Sequence, residues 1–511
     1  MNPKSTPSSS SPATSAASAS GRKQFKTWHL SMMALGLAIG AGFFIGTGSA
    51  IAQAGPAVLV SYAVAALIVV SVMLALAELA SSLPTTGSFS SYAEAGIGRW
   101  AGFTIGWLYW VMLIMVSGLE VTGAATFFVG WFPSVPQWAI ALAIVVIIGG
   151  INLLAAGRYG FIEAMLSMVK VVAIVIFLLV GVGLVIHTMV SGPLPGHQSV
   201  AENIGGHGGF APNGLAGIAV ALLAVITSFG GLEIVTIAAA EAENPRAAMV
   251  SAIRSVVTRI LVFYVGSVIL LIALLPWDGP DMGPDAFSAV LRMVIDPLKT
   301  VLPTWLVPDV GTIMEAIIFM ALVSAFSANI YASSRMAYSL SARDMGPRWL
   351  LGSNVSETGL SSDSTAALDG GEAVLATERE GDIEDGRTPK NAVGLVVVLA
   401  LLAVLGNWYL PDTILAMLIN AIGMVLLIVW TFIIISLMRL HPALERSGNL
   451  AIRMPGWPWL PWVVLVGLAG IAALMLTSAE GRTQLVSMGA LTLIIVCIYF
   501  VREAMRKRVR G

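Results

Sequence analysis

Cysteine is almost missing from this chain: Cys497 is the one thiol among 511 residues. An intrachain disulfide is therefore impossible, and a cysteine-ligated zinc site is excluded. Charge is the second shortage. Only 11% of the residues are Asp, Glu, Lys or Arg, where a soluble protein carries roughly 25%. With 57% hydrophobic residues and a mean hydropathy of +0.88, the chain cannot cover a water-facing surface and reads as an integral membrane protein. Also missing is the alternation of about ten-residue segments that marks a membrane barrel, so helices are the expected spanning element. No nucleophile–base motif and no phosphate-binding loop is present, which argues against an enzyme. His187, His197 and His207 fall on the outer side, the last within "GGHGG". Scattered loop histidines are commoner than a metal site, and nothing in the sequence requires a metal or a cofactor. The lone "RKR" cluster is no argument for nucleic acid in a membrane chain, and the oligomeric state is left open.

What is present is a succession of apolar runs. About twelve approach the roughly 20 residues that a bilayer core needs: 28–52, 55–82, 101–128, 137–156, 161–187, 213–240, 252–276, 311–340, 391–409, 412–438, 458–477 and 484–501. The first twenty residues are rich in Ser, Ala and Pro, so 1–26 reads as a disordered tail. No charged-then-apolar pattern with a cleavage site occurs in it, so the first span is expected to be retained. Residues 351–388 are acidic, Ser/Gly-rich and without periodicity, and read as a disordered insertion. That leaves 27–502 as one transmembrane domain and 503–511 as a basic tail.

Orientation follows from Lys and Arg. With Arg22, Lys23 and Lys26 inside, Arg99, Arg158, Arg246, Arg254, Arg259, Arg335, Arg343, Arg348, Arg439, Arg446, Arg453 and the tail "REAMRKRVR" all fall inside. Arg292, Lys299 and Arg482 fall outside. This asymmetry places both termini in the cytoplasm of a multi-pass plasma-membrane protein.

Two spans are interrupted by glycine, a poor helix former. In "AIGAGFFIGTG" the break is Gly40 to Gly42; in "TSFGGLE" it runs from Thr227 through Phe229, Gly230 and Gly231 to Glu233. The first is not a dinucleotide fingerprint, because its spacing is one residue too long and no strand precedes it. Both breaks begin about 12–14 residues into their spans, roughly 18–21 Å at 1.5 Å per residue, near the midplane. They occupy matching places in two five-span units of opposite orientation, the pattern of a transporter's substrate site. A broken helix exposes N–H groups that suit a carboxylate, and carbonyls that suit a cation. A zwitterionic amino acid needs both. The competing explanation is close helix packing through Gly36-x-x-x-Gly40 and Gly42-x-x-x-Gly46.

Charges inside spans are the next anomaly: Glu120, Lys170 and Glu233. Each costs roughly 2.5–3.5 kcal/mol at a helix centre on insertion scales. Glu233 adjoins the break, and Lys170 lies too deep to snorkel. Desolvation favours neutral lysine and nearby carbonyls favour the ammonium, so movement between the two makes a proton-binding switch. A permanent ion pair with Glu163 is the alternative. The expected proton-coupling residues are Lys170, Glu233 and Glu120.

The stretches "ALGLAIGAGFFIGTG", "AQAGPAVLVSY", "LPTTGSFSSYAEAGIGRWAGFTIGWLYW", "SFGGLEIVTIAAAEAENP" and "YASSRMAYSLSARDMGP" resemble the amino acid transporter family of the amino acid–polyamine–organocation superfamily. The similarity runs from about Lys26 to the last span, and "GRWAGFTIGWLYW" and "EIVTIAAAE" look most like its 4-aminobutyrate (GABA) permeases. The resemblance implies an all-α membrane protein with a five-plus-five inverted repeat, two extra helices, and broken helices one and six. It implies that the Gly40, Ala41 and Gly42 amides hold a substrate carboxylate, that carbonyls at Ala38, Thr227 and Gly230 take the amine, and that Phe229 gates. Lys170 matches the family's span-five lysine. Two departures stand out: the long 351–388 insertion, and Ser327-Ala328 where relatives often have Asn-Ser. The expected function is proton-coupled import of GABA or a similar neutral amino acid. An exchanger of the same fold and a transporter-like receptor are the alternatives.

Overall fold

The computed structural model describes residues 39–83, 88–154, 159–232, 245–299, 309–351, 390–410, 413–448, 450 and 452–510. The tail 1–26, Ala38, Glu233 and nearly all of the insertion therefore lie outside the described residues. Among those described there is no strand. In lipid every backbone polar group needs an internal partner, and long apolar runs obtain one only as helices. The helices are α1 (Ala41–Ala54), α2 (Val58–Ser82), α3 (Ser88–Gly96), α4 (Arg99–Trp131), α5 (Gln137–Leu154), α6 (Tyr159–Ser191), α7 (Val200–Gly205) and α8 (Gly214–Phe229). Then follow α9 (Pro245–Arg259), α10 (Gly266–Leu274), α11 (Ala286–Lys299), α12 (Val310–Ala342), α13 (Lys390–Tyr409), α14 (Ile414–Ser447), α15 (Trp459–Met475) and α16 (Ala479–Arg510). A π-helical stretch, Ile260–Val265, joins α9 to α10 into one span.

Among the described residues, eight helical runs are long and apolar enough to cross a membrane, and four shorter apolar helices accompany them. Each expected span falls on a helix, the first and sixth over their described parts. Large apolar side chains such as Leu67, Leu179, Val466 and Val486 are exposed. That is the surface a lipid solvent requires. Arg259 is buried just ahead of the π-helical stretch, and its Nη2 donates to Ser255 Oγ at 3.2 Å.

α1 and α8 pack antiparallel, and the contacts at both ends fix this. At one end Gly42 lies against Thr227 and Ser228; at the other, Asn213 Nδ2 donates to Gln53 O at 2.8 Å. The long helices α4 and α12 pack together and flank this pair, while α14 packs on α4 and α8. Two short helices shape the ends. α7 carries a capping box between Ser199 and Glu202. α11 presses Phe287 onto Phe43 and Phe44 of α1, with ring centroids 5.2 Å apart in both cases.

Candidate functional site

α1 begins in the membrane, at Ala41, because Gly40 is extended (φ −137°, ψ −152°) and leaves the first N–H groups without an intrahelical partner. One of them is taken. Ala41 N donates to Glu120 Oε1 and Oε2, each at 3.1 Å, from the middle of α4. Glu120 is 4% exposed and Lys170, on α6, is 1% exposed. Glycine at position 40 is a consequence of this seat, since a Cβ there would run into Glu120 Oε1. The Ala41 amide, expected to hold a substrate carboxylate, donates here to a carboxylate of the protein, because a helix start attracts any anion within reach.

The second break meets the first. α8 ends at Phe229, and Gly231 turns the chain with φ +90°, a conformation that disfavours other residues. Gly230 N donates back to Thr227 O at 3.1 Å, so the Thr227 carbonyl keeps one lone pair for another donor. The Thr227 hydroxyl donates to Ile419 O of α14 at 2.6 Å. A Cβ at Gly42 would stand 2.9 Å from Thr227 O and 3.0 Å from Ser228 Cα, and one at Gly46 would stand 3.0 Å from Ser228 Oγ. Gly42-x-x-x-Gly46 is thus the packing face towards α8. The break and close packing, set as alternatives in the sequence, are one arrangement: the same glycines free the N–H groups and bring the two breaks together.

Aromatic rings wall this crossing. Phe229 is fully buried, with Tyr264 at 5.2 Å and Tyr62 at 5.9 Å, both edge-on. Tyr264 also meets Phe43 at 4.8 Å. The Tyr62 hydroxyl bonds Thr47 Oγ1 at 2.9 Å, and Ser228 Oγ donates to the carbonyls of Gly42 and, at 3.0 Å, Ala224. Sequence reasoning missed Tyr62, Tyr264 and Ser228. The signal for Ser228 was available, since it sits inside the second break. Tyr264 owes its position to the π-helical stretch, a feature frequent at functional sites that no local residue pattern announces.

The structure thus brings Gly40, Ala41, Gly42, Thr227, Phe229, Gly230, Gly231, Glu120 and Lys170 into one region of crossing helices. The side chain of Glu163, the suggested ion-pair partner, lies outside the described residues, as do Ala38 and Glu233. Ser327, a departure from the family pattern, accepts from Asn152 Nδ2 at 2.9 Å and so ties α12 to α5. His207 lies between Asp278 Oδ2 (3.0 Å) and Gln198 Oε1 (2.7 Å), which occupies both ring nitrogens.

Comparison with known proteins adds the lineage. The family profile described as amino acid permease matches residues 29–357 and 374–510. An aromatic amino acid transport protein, AroP, of Corynebacterium glutamicum is 40% identical over 93% of this chain and 94% of its own length. Gamma-aminobutyric acid permeases are 35% identical in Escherichia coli, over 95% of both chains, and 34% identical in Bacillus subtilis, over 94% of this chain and 93% of the relative. This multi-pass membrane chain belongs to the amino acid permease family and has its inverted-repeat transporter fold, with the first and sixth helices broken within the membrane.

Proposed function

We propose that the chain imports a neutral amino acid together with protons across the cytoplasmic membrane, with both termini inside. The observation that carries this reading is the buried Glu120 carboxylate seated on the Ala41 N–H. A substrate carboxylate needs the same donors, at Gly40, Ala41 and Gly42. Two carboxylates cannot share them fully charged, so the arriving substrate drives Glu120 to take a proton. The carbonyls of Ala38, Thr227 and Gly230 receive the substrate amine, Phe229 covers it, and Gly231 permits the turn. Lys170 and Glu233 complete the proton path, with the lysine ammonium exchanging its proton as its surroundings change. No covalent step is involved. Residues 27–502 form the transport unit, flanked by cytoplasmic tails at 1–26 and 503–511. The gap in the family match over 358–373 supports reading 351–388 as an insertion.

Two substrate readings divide on the side chain. The higher identity to AroP of C. glutamicum and the ring wall of Tyr62, Phe229 and Tyr264 favour an aromatic amino acid. GABA, the expectation from the sequence, is favoured by the permeases of E. coli and B. subtilis. Purified protein in empty proteoliposomes tests both at once. An inward pH gradient should drive uptake of labelled phenylalanine or GABA, and competition by tyrosine, tryptophan, β-alanine and proline should rank the side chains. A strict need for internal amino acid would replace symport with exchange. Uptake that follows sodium and ignores pH would remove the proton from the mechanism.

A further inference from the structure

α4 starts and α16 ends at the same side of the bundle, and between them lies a cleft of about 730 Å³. That is within the roughly 300–1,000 Å³ range of built small-molecule sites. Its walls divide sharply by chemistry. Phe103, Trp107 and Val111, spaced four apart on one face of α4, oppose Ile495 and Ile498 of α16. The mouth carries Arg348, Arg502 and Arg506, with Asp344 as the one carboxylate lining it. Three guanidiniums against one carboxylate leave two positive charges, and Arg99 adds to the field felt at Arg502. From Ile495 to Arg506 is about 16 Å along the helix at 1.5 Å per residue. The apolar end therefore lies at hydrocarbon depth when the arginines lie among headgroups.

The site is built. Trp107 Nε1 donates to Met345 O at 2.9 Å and fixes the wall. Arg502 Nη2 donates to Asp344 O at 3.1 Å and Gly346 O at 3.3 Å. Arg506 Nη2 donates to Asp344 O at 3.0 Å and to the Asp344 carboxylate. Among the described residues both arginines use Nη2 alone, so Nε and Nη1 of each remain available as donors. Arg348 is exposed and forms no hydrogen bond or ion pair among them. Guanidiniums suit phosphate oxygens, and the cytoplasmic leaflet is the anionic one.

We propose that this cleft binds one anionic phospholipid of the cytoplasmic leaflet. Its phosphate sits on Arg348, Arg502 and Arg506, and one acyl chain lies between Phe103 and Trp107 on one side and Ile495 and Ile498 on the other. A zwitterionic lipid is disfavoured, because its cationic group meets the same arginines. The proposal rests on the orientation given above and not on the transport reading, and its test measures lipid rather than uptake. Purified protein is equilibrated with micelles of equal phosphatidylglycerol and phosphatidylcholine, and retained lipid is counted by native mass spectrometry. Wild type should retain one phosphatidylglycerol in at least tenfold preference. The pair Arg348→Gln and Arg506→Gln should abolish that preference. Ile498→Trp fills the chain slot without touching charge and should lower retention at least fivefold, with the melting temperature unchanged. Equal retention of the two lipids by wild type overturns the proposal. So does full retention by Ile498→Trp, which would mean unspecific surface attraction. Displacement of the lipid by millimolar glycerol phosphate would mark a free-phosphate site and also overturns it.

Discussion

At Gly42 a single methyl group decides whether the two broken helices can touch. The atoms it would meet, Thr227 O and Ser228 Cα, are backbone and cannot swing aside. Gly42→Ala should lower uptake at least tenfold while membrane levels hold, since alanine is apolar and inserts readily; Gly42→Val should abolish substrate binding. Normal uptake by either at normal abundance would misplace the crossing. Glu120 and Lys170 carry the second expectation at this scale. Glutamine keeps the size of each and removes the titration. Glu120→Gln and Lys170→Gln should both lose accumulation driven by a pH gradient, and added sodium should not stimulate wild type. Accumulation by Lys170→Gln that still follows the gradient would take that residue out of the mechanism. These charges were legible in the sequence because any charge in an apolar run is anomalous. Tyr62, Tyr264 and Ser228 were not, because uncharged polar and aromatic residues blend into such runs, and only the packed structure shows which of them face the breaks.

Helix ends carry the next level of organisation. α8 stops at Phe229, and the Thr227 hydroxyl ties that end to Ile419 O on α14. Thr227→Val keeps the shape and removes the donor, so the detergent-solubilised protein should lose about 1 kcal/mol of stability. Thr227→Ser should restore it, and equal melting of all three would show that the tie contributes nothing. Both breaks were legible, because glycine in the middle of an apolar run contradicts helix propensity. Hydropathy also placed the spans over their described residues, although several ends run past their apolar stretch: α14 continues to Ser447 and α16 to Arg510. Short helices such as Ser88–Gly96 and Ala286–Lys299 escaped notice. Each is too short to span a bilayer and mixes polar with apolar residues, so it does not stand out as an apolar run. The π-helical stretch escaped for a different reason: nothing in the composition of Ile260–Val265 distinguishes it from an ordinary apolar helix.

Across the whole molecule, one end of the bundle is held by a buried pair far from the two helix breaks in sequence. Glu78 of α2 accepts from His441 Nδ1 of α14 and, at 2.6 Å, from Met454 N of the following loop, and the His441 ring stacks on Trp457 at 3.7 Å. Glu78 and His441 are both fully buried. His441→Leu takes a partner from a buried carboxylate and should cost about 3–5 kcal/mol, whereas the double change Glu78→Leu with His441→Leu should cost less, because no buried carboxylate is then left and only the Met454 N–H loses its acceptor. Melting curves of the two variants decide it, and a double variant no better than the single would assign the cost to lost packing. Distance along the chain hides this pair: Glu78 and His441 are 363 residues apart, so no local pattern links them. The Glu120 carboxylate on the Ala41 N–H has a consequence at this same scale. An obligatory exchanger stalls when empty, because the vacated helix start has no counter-charge and cannot reorient through the low-dielectric midplane. In the reading proposed above, Glu120 is that counter-charge whenever no substrate carboxylate competes for the Ala41 N–H. That reading allows return without cargo, so preloading vesicles with unlabelled amino acid should raise the initial rate of labelled entry less than twofold. A large rise would mean that Glu120 does not fill that role and that the unloaded protein waits for a passenger.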